Sequence, residues 1–398
     1  MPRNEALRAL ILSYADQIAD ELFRLSDSIF RNPEPGFKEY KAVELLTGFL
    51  RTKGFEVKTG CAGLETAFVA AKRGGQRGPS IAFVAEYDAL PEIGHGCGHN
   101  MIGTAACGAA ASVASVMDRL DGAVYVIGCP AEEGAVEGAG GKVFLVEAGY
   151  FDHIDAAMMV HPASRYVVAG GSLARVAVAF SFECGEPSRA LDAANLTFNA
   201  INSLRQQLPP GVKIHGVLKC DGAPSGTAPR RAKIRLYVRG ATLKDLHQAE
   251  DRVKRCAEGA ARVTGVRVEF RYTAPKYQNL IPNRALGEAF ASNLRALGVR
   301  VDETDDSGAG STDMGNVSHV VPCIHPYIAV VPRGVAGHTK EFGESTLTKE
   351  AHAGMLIGVK AMALTAFDLL SDPLLLKAVR EEFSRNFKTS TSAPSTEY

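Results

Sequence analysis

IAFVAEYDALPEIGHGCGHN, residues 81–100, passes from an apolar run to three acids and then to a cysteine and two histidines spaced by glycine. Ile81 to Ala85 read as a short strand buried on both faces, and Asn100 reads as the cap of a helix running to about Leu120. Between them, Gly94, Gly96 and Gly98 predict a sharply bent loop, because glycine accepts positive φ and close approach of other groups. That loop presents Cys97 and His99. A strand, a loop bearing titratable side chains and a helix together form the unit of a parallel α/β sheet, whose ligands gather at the carboxyl ends of its strands.

Upstream, helical periodicity runs from about Asn4 to Phe30, NPEPGF (32–37) makes a turn, and a second amphipathic helix continues through Leu50. KGFEV and ETAFVAA then read as strands. Downstream, AVYVIG (123–128), AAMMV (156–160) and YIAVV (327–331) repeat the apolar strand pattern, with helices at about Arg284 to Leu297 and Thr348 to Leu370.

The pattern changes after about Gly171. VAVAFSFEC is a strand and RALDAANLTFNAINSLRQQL a helix; VKIHGVLKC and KIRLYVRG are strands. A helix capped by Thr242 and ended by Gly265 follows, with Leu246, Ala249, Val253, Ala260 and Val263 on its apolar face, and VRVEFRYT closes the module. That order, β-α-β-β-α-β, is ferredoxin-like. The expected architecture is therefore an α/β catalytic domain with a mixed, mostly parallel sheet, in two halves (1–171 and 277–388). Between them lies a ferredoxin-like domain (172–276), and the polar TSTSAPSTEY (389–398) is expected to be a disordered tail.

The chain has 398 residues, 46% of them apolar, enough for two cores. Lys plus Arg (44) equals Asp plus Glu (44), which argues against nucleic acid or an anionic membrane as partner and for a small-molecule substrate. The N-terminus carries acids through a helical pattern, unlike a signal peptide, and the eight cysteines are widely dispersed. Reduced thiols and a cytoplasmic location are expected.

Titratable groups follow each expected core strand. Glu86, Asp88, Cys97 and His99 come after IAFVA, Glu132 and Glu133 after AVYVIG, His161 after AAMMV, and His338 a short loop beyond YIAVV. Singly, each has an ordinary explanation: a hydrogen-bonded boundary histidine, a solvated helix start. Four such placements at strand ends point to one metal-binding crevice. The other histidines at 153, 215, 247, 319, 325 and 352 are read as structural or exposed.

Zinc accepts thiolate, imidazole and carboxylate at about 2.0 to 2.3 Å, and Cys97, His99, Glu133, His161 and His338 supply five donors. Five exceed the need of one tetrahedral ion with an open position. Two divalent ions about 3.5 to 4 Å apart use them better, with the Cys97 thiolate as bridge. Zinc and manganese both suit such a mixed set. In an extended backbone Glu132 cannot readily aim at the same ion as Glu133, which leaves it as a general base that takes a proton from metal-activated water and hands it to a leaving nitrogen. That is amide hydrolysis.

NPEPGF (32–37), EYDALP (86–91), GHGCGHN (94–100), PAEEG (130–134), VHP (160–162), GSTDMGNVS (310–318) and GHTKEF (337–342) together resemble the M20 metallopeptidase and amidohydrolase family. The resemblance is to its branch with a Cys-Gly-His metal motif, which includes aminoacylase-like and aminobenzoyl-glutamate hydrolase-like enzymes. It implies metal ligands at Cys97, His99, Glu133, His161 and His338, with Glu132 as base and Asp88 orienting the site where relatives carry His-x-Asp. It also implies substrate contacts at Ser225, Ser311 and Thr312, and a homodimer formed through the inserted lid. The lid departs from the pattern: FECGEPSRALDA lacks the usual histidine, and Ser225 stands at an asparagine position.

The expected activity is cleavage of an amide in an N-acyl amino acid, dipeptide or aminobenzoyl-glutamate-like substrate. The alternatives are hydrolytic deamination of a small aromatic amine at the same site, and a catalytically impaired metal-stabilised binding protein.

Overall fold

A computed structural model describes residues 2–168, 170–185, 189–220, 229–302 and 310–391. The chain divides into two compact units, one made of Met1–Gly171, Ile281–Gly308 and Asn316–Tyr398, the other of Ser172–Leu280 and Ala309–Gly315.

The first unit is built on a six-stranded sheet in the order Glu56–Thr59, Phe68–Arg73, Ala123–Gly128, Ser80–Ala85, Ala156–Met158, Cys323–Ile324. The last four strands pair in parallel. The first two are antiparallel, each to its neighbour, so ETAFVAA enters the sheet without a crossover helix. YIAVV does not join this sheet as a core strand. Tyr327–Ala329 instead pairs in parallel with His161–Ala163 in a separate two-stranded ribbon, and Cys323–Ile324 takes the edge of the main sheet. The short run Cys323–Ile324 was too brief to stand out by pattern.

The long N-terminal helical pattern is two helices, Pro2–Gln17 and Ala19–Arg31, which meet at Ile18 with φ −94 and ψ 2. His99–Ala114 is buried over nearly its whole length, and its alanine and glycine content lets neighbours approach closely: a Cβ on Gly108 would stand 2.7 Å from a Leu22 methyl. It ends before Leu120. The hydroxyls of Ser112 and Ser115 bond the carbonyls of Gly108 and Ser112, competing with the helix's own amides, and a 3₁₀ turn Met117–Arg119 follows. Lys349–Ser371 is long and apolar enough to cross a membrane, but most of it is buried in this core. The C-terminal helix Pro373–Thr391 extends into the segment expected to be a disordered tail; 392–398 lie outside the described residues.

The second unit is a four-stranded antiparallel sheet in the order Arg267–Tyr272, Ala174–Glu183, Arg231–Gly240, Lys213–Cys220. Helices Arg189–Arg205 and Leu243–Thr264 cover the face formed by Val176, Val178, Phe180, Ile234, Leu236 and Val238, which completes the β-α-β-β-α-β order. The Thr242 hydroxyl accepts the Asp245 amide and Gly265 has φ 68, as capping chemistry requires. Val263 is not on the buried face: it is 78% exposed, because the 3.6-residue period carries the stripe from Val253 to Ala257, Ala260 and Ala261. On the face opposite the helices Arg175, Arg235 and Arg239 surround Tyr237, and the Arg175 guanidinium lies 3.8 Å from the Tyr277 ring centre.

Candidate metal centre

The bend after Ser80–Ala85 closes at Gly98, with φ 77 and the Pro162 ring 2.7 Å from where a Cβ would stand. Any side chain there would be strained and would displace the His161–Pro162 strand. His99 then opens the helix, with Cys97 two residues before it. The second approach comes from GHTKEF: the His338 amide donates to the Gly96 carbonyl at 2.8 Å, and Thr339 caps Lys340–Ser345. His338 itself adopts φ 61.

These elements bring the expected donors together within the first unit. The ligand atoms of Cys97, His99 and His161 lie within 4.8 Å of one another, and so do those of Cys97, Glu133 and His338. Cys97 belongs to both triads. Its sulfur is 3.5 Å from His161 Nε2, while Glu133 Oε1 is 3.9 Å from His99 Nε2 and 3.7 Å from His338 Nε2.

The site tests well as a cation site on its own atoms. His99 Nε2 and Glu133 Oε1 are buried without a hydrogen-bond partner, a costly arrangement that a metal ion relieves. Each residue is held from behind. Asp88 Oδ1 is 2.9 Å from His99 Nδ1, and Asp88 Oδ2 accepts the Glu133 amide at 3.0 Å. Asp88 thereby fixes which imidazole nitrogen of His99 faces the cluster. His161 Nδ1 is 2.8 Å from the Pro162 carbonyl, which leaves Nε2 to face Cys97.

The electrostatics of the cation-free cluster follow from this packing. Burial and the Glu133 carboxylate push the Cys97 thiol up to about 12, and burial with the His99 charge brings His161 down to about 4. Burial opposes the charged forms of His99 and Asp88, but their mutual attraction outweighs it, holding His99 well above and Asp88 below their ordinary ranges. Glu133 is raised by burial and by the neighbouring Asp88 and Glu86 carboxylates. A cation reverses the penalty on Cys97 and Glu133 together.

Three features add to the sequence reading. Glu86, at the position of the absent histidine, is buried and ion-paired with the fully buried Lys142, and its Oε2 lies 3.5 Å from His99 Nε2. Ligand atoms of Glu86, His99 and Glu132 also lie within 4.8 Å of one another, so the Glu132 carboxylate reaches the same cluster as Glu133. His325, read as structural or exposed, is buried with its ring 5.4 Å from that of His161. A lysine inside GGKVFLVE and a histidine before a proline carry no local signal of such placement.

Of the expected substrate contacts, Ser225 lies outside the described residues. Ser311 and Thr312 fall in the second unit, where the Thr312 hydroxyl accepts the Met314 amide.

The α/β sheet, the thiol-imidazole-carboxylate donors at its strand ends and the adjacent acids define a metal-dependent hydrolase. Residues 82–360 match the model of peptidase family M20/M25/M40, and the chain belongs to that family. It is 34% identical to the Xaa-Arg dipeptidase of Mus musculus over 95% of this chain and 92% of the relative. Identity is 29% to one of the subunits of the p-aminobenzoyl-glutamate hydrolase of Escherichia coli, over 90% and 91% of the two chains. Among solved structures, a dinuclear metal-binding M20 peptidase from Bacillus subtilis superposes with a TM-score of 0.68 at 19% identity, covering 89% of this chain and 99% of the other; this likeness concerns the fold. The protein is accordingly a hydrolase of small amide substrates.

Proposed function

We propose that Cys97, His99, Glu133, His161 and His338 hold two divalent ions, zinc or manganese, with the Cys97 sulfur shared, and that Glu132 is the general base. The substrate is a dipeptide, an N-acyl amino acid or an aminobenzoyl-glutamate-like compound. The observation that carries the reading is the pair of buried, unpartnered ligand atoms, His99 Nε2 and Glu133 Oε1, both facing the cluster that contains Cys97. Bound divalent cations supply Lewis acidity that polarises an amide carbonyl and acidifies water. Glu132 takes the proton of the attacking water and delivers it to the leaving nitrogen. Asp88 keeps His99 and Glu133 in register throughout.

The dipeptidase and aminobenzoyl-glutamate hydrolase relatives support the substrate range. A homodimer through the second unit is the proposed assembly, with Lys213–Cys220 as the edge strand that would pair. Cysteines that form no disulfide among the described residues fit a cytoplasmic setting.

Metal analysis together with a panel of dipeptides, N-acyl amino acids and aminobenzoyl-glutamate tests this. Glu132→Gln is expected to keep its metal and lose at least about 10² to 10⁴-fold in turnover. Near-normal turnover in a fully metallated Glu132→Gln protein would remove Glu132 from the role, and ammonia release from aromatic amines without amide cleavage would replace the reaction.

A further inference from the structure

The turn NPEPGFKE, residues 32–39, contributes no donor to the metal centre, yet it grips two of the segments that do. Ala131, the residue before the acid pair, sits at φ 55, a left-handed conformation that costs an alanine roughly 1 to 2 kcal/mol. Its amide donates to Glu39 Oε1 at 2.8 Å, and its carbonyl accepts the Gly140 amide at 2.7 Å. The same Glu39 Oε1 accepts the amide of Phe37 at 2.9 Å, itself at φ 63, and Glu39 Oε2 accepts the Thr66 hydroxyl at 2.7 Å. Glu39 is wholly buried, so one carboxylate with three bonds fixes two unfavourable backbone conformations at once.

Gly36 lets the turn reach this position. A Cβ there would lie 2.7 Å from the Ala131 Cβ and 3.0 Å from its Cα, so the turn packs directly on the Ala131 backbone. The other end of the turn addresses the other loop. The Glu34 carbonyl accepts the Ala89 amide at 2.8 Å, one residue after Asp88, while the Glu34 carboxylate accepts the amides of Lys41 and Ala42 at the start of the helix Tyr40–Thr52.

We infer that the 34–39 turn is a positioning element for catalysis: Glu39, seated by Gly36, holds Ala131 in its left-handed conformation and so aims Glu132 and Glu133, while Glu34 sets the distance to Asp88. The inference rests on the proposed roles of Glu132 and Glu133. Glu39 touches no reacting group and acts through Ala131. Because the grip is made by an oxygen accepting two amides, glutamine keeps it, whereas alanine, or aspartate with one methylene fewer, does not.

The test uses the zinc-loaded enzyme and its variants Glu39→Ala, Glu39→Asp, Glu39→Gln and Gly36→Ala. Two readouts are made: hydrogen exchange of the peptide spanning Cys129 to Gly138, and kcat and KM on a dipeptide cleaved by the wild type. Glu39→Ala, Glu39→Asp and Gly36→Ala are expected to speed exchange in that peptide and to lower kcat about 10²-fold with little change in KM, the effect of misplacing a catalytic group by about an ångström. Glu39→Gln should restore both.

If Glu39→Ala does not fold, Glu39→Asp carries the same comparison. Fast exchange with unchanged kcat overturns the positioning role. A Glu39→Gln protein as defective as Glu39→Ala overturns the grip in favour of charge. Should the wild type cleave nothing in the panel, the hydrolase reading falls by itself, and the exchange measurement still decides the grip: unchanged exchange in Glu39→Ala and Gly36→Ala refutes it.

Discussion

Glu39 also makes the stability of the protein depend on pH in a direction opposite to that of most carboxylates. Burial raises its pKa from an ordinary 4.5 to about 7, the Asp88 charge adds to this, and the bonds from Thr66 and Ala131 only partly offset it. The folded protein therefore holds a proton on Glu39 between about pH 4.5 and 7, where the unfolded chain has released it. With more protons bound when folded, stability falls as pH rises through that window: the contribution is complete below about 4.5 and gone above about 7. At about 1.4 kcal/mol for each tenfold change in the proton equilibrium, a rise from 4.5 to about 7 corresponds to about 3 kcal/mol.

Glutamine cannot ionise and keeps the shape, so Glu39→Gln should match or trail the wild type at about pH 4.5 and overtake it by about 2 to 3 kcal/mol at about pH 8. Thermal unfolding of the two proteins without metal, at intervals from about pH 4.5 to 8, reads this as a gap in midpoint that opens by about 3 to 5 °C. Metal-ligand titration is common to both proteins and cancels in the difference. A gap that stays constant across the window would show that Glu39 ionises as an ordinary glutamate, and the account of its burial would be wrong.

If Cys97 is shared between two ions, Cys97→Ser should lower metal content measured by elemental analysis, whereas Cys107→Ser, buried inside His99–Ala114, should leave it unchanged; equal content in both would make Cys97 a structural thiol. Lys142→Met strands the buried Glu86 carboxylate and should destabilise by about 3 to 5 kcal/mol, with Lys142→Met/Glu86→Gln recovering much of the loss in a denaturation series. A double variant no more stable than Lys142→Met would mean that the loss came from packing and not from the stranded charge.

The candidate donors could be grouped because each follows an apolar run in the sequence. IAFVA, AVYVIG and AAMMV announce strands, and a parallel sheet collects whatever follows them, so Cys97, His99, Glu133 and His161 could be grouped without coordinates. His338 was grouped with them on a partly mistaken premise, since YIAVV lies in the two-stranded ribbon beside His161 and not in the main sheet, yet its Nε2 does lie 3.7 Å from Glu133 Oε1. What the sequence hid was support from a distance. Glu39 meets Ala131 across 92 positions, Lys142 meets Glu86 across 56, and in the first case the partner is a backbone amide that any residue could supply. Periodicity reports which face of an element is apolar; it does not report which buried acid will find a strained amide. The Val263 and Leu120 discrepancies are of the local kind, set by helix phase and by serine hydroxyls competing at a helix end.

The five proposed ligands are unequally sheltered, and that bears on rates as well as affinities. Cys97, His99, Glu133 and His161 are buried or half-buried, whereas the His338 side chain is 61% exposed on a loop residue in the left-handed region. If two ions bind as proposed, one held through His338 would have a ligand that could turn into solvent without disturbing the core, and one held by His99 and His161 would have none. The two positions should therefore exchange with different lifetimes. A chelator should strip a fully loaded protein in two phases, the faster one accelerated by His338→Ala, and a single phase in both proteins would mean that the ions leave together.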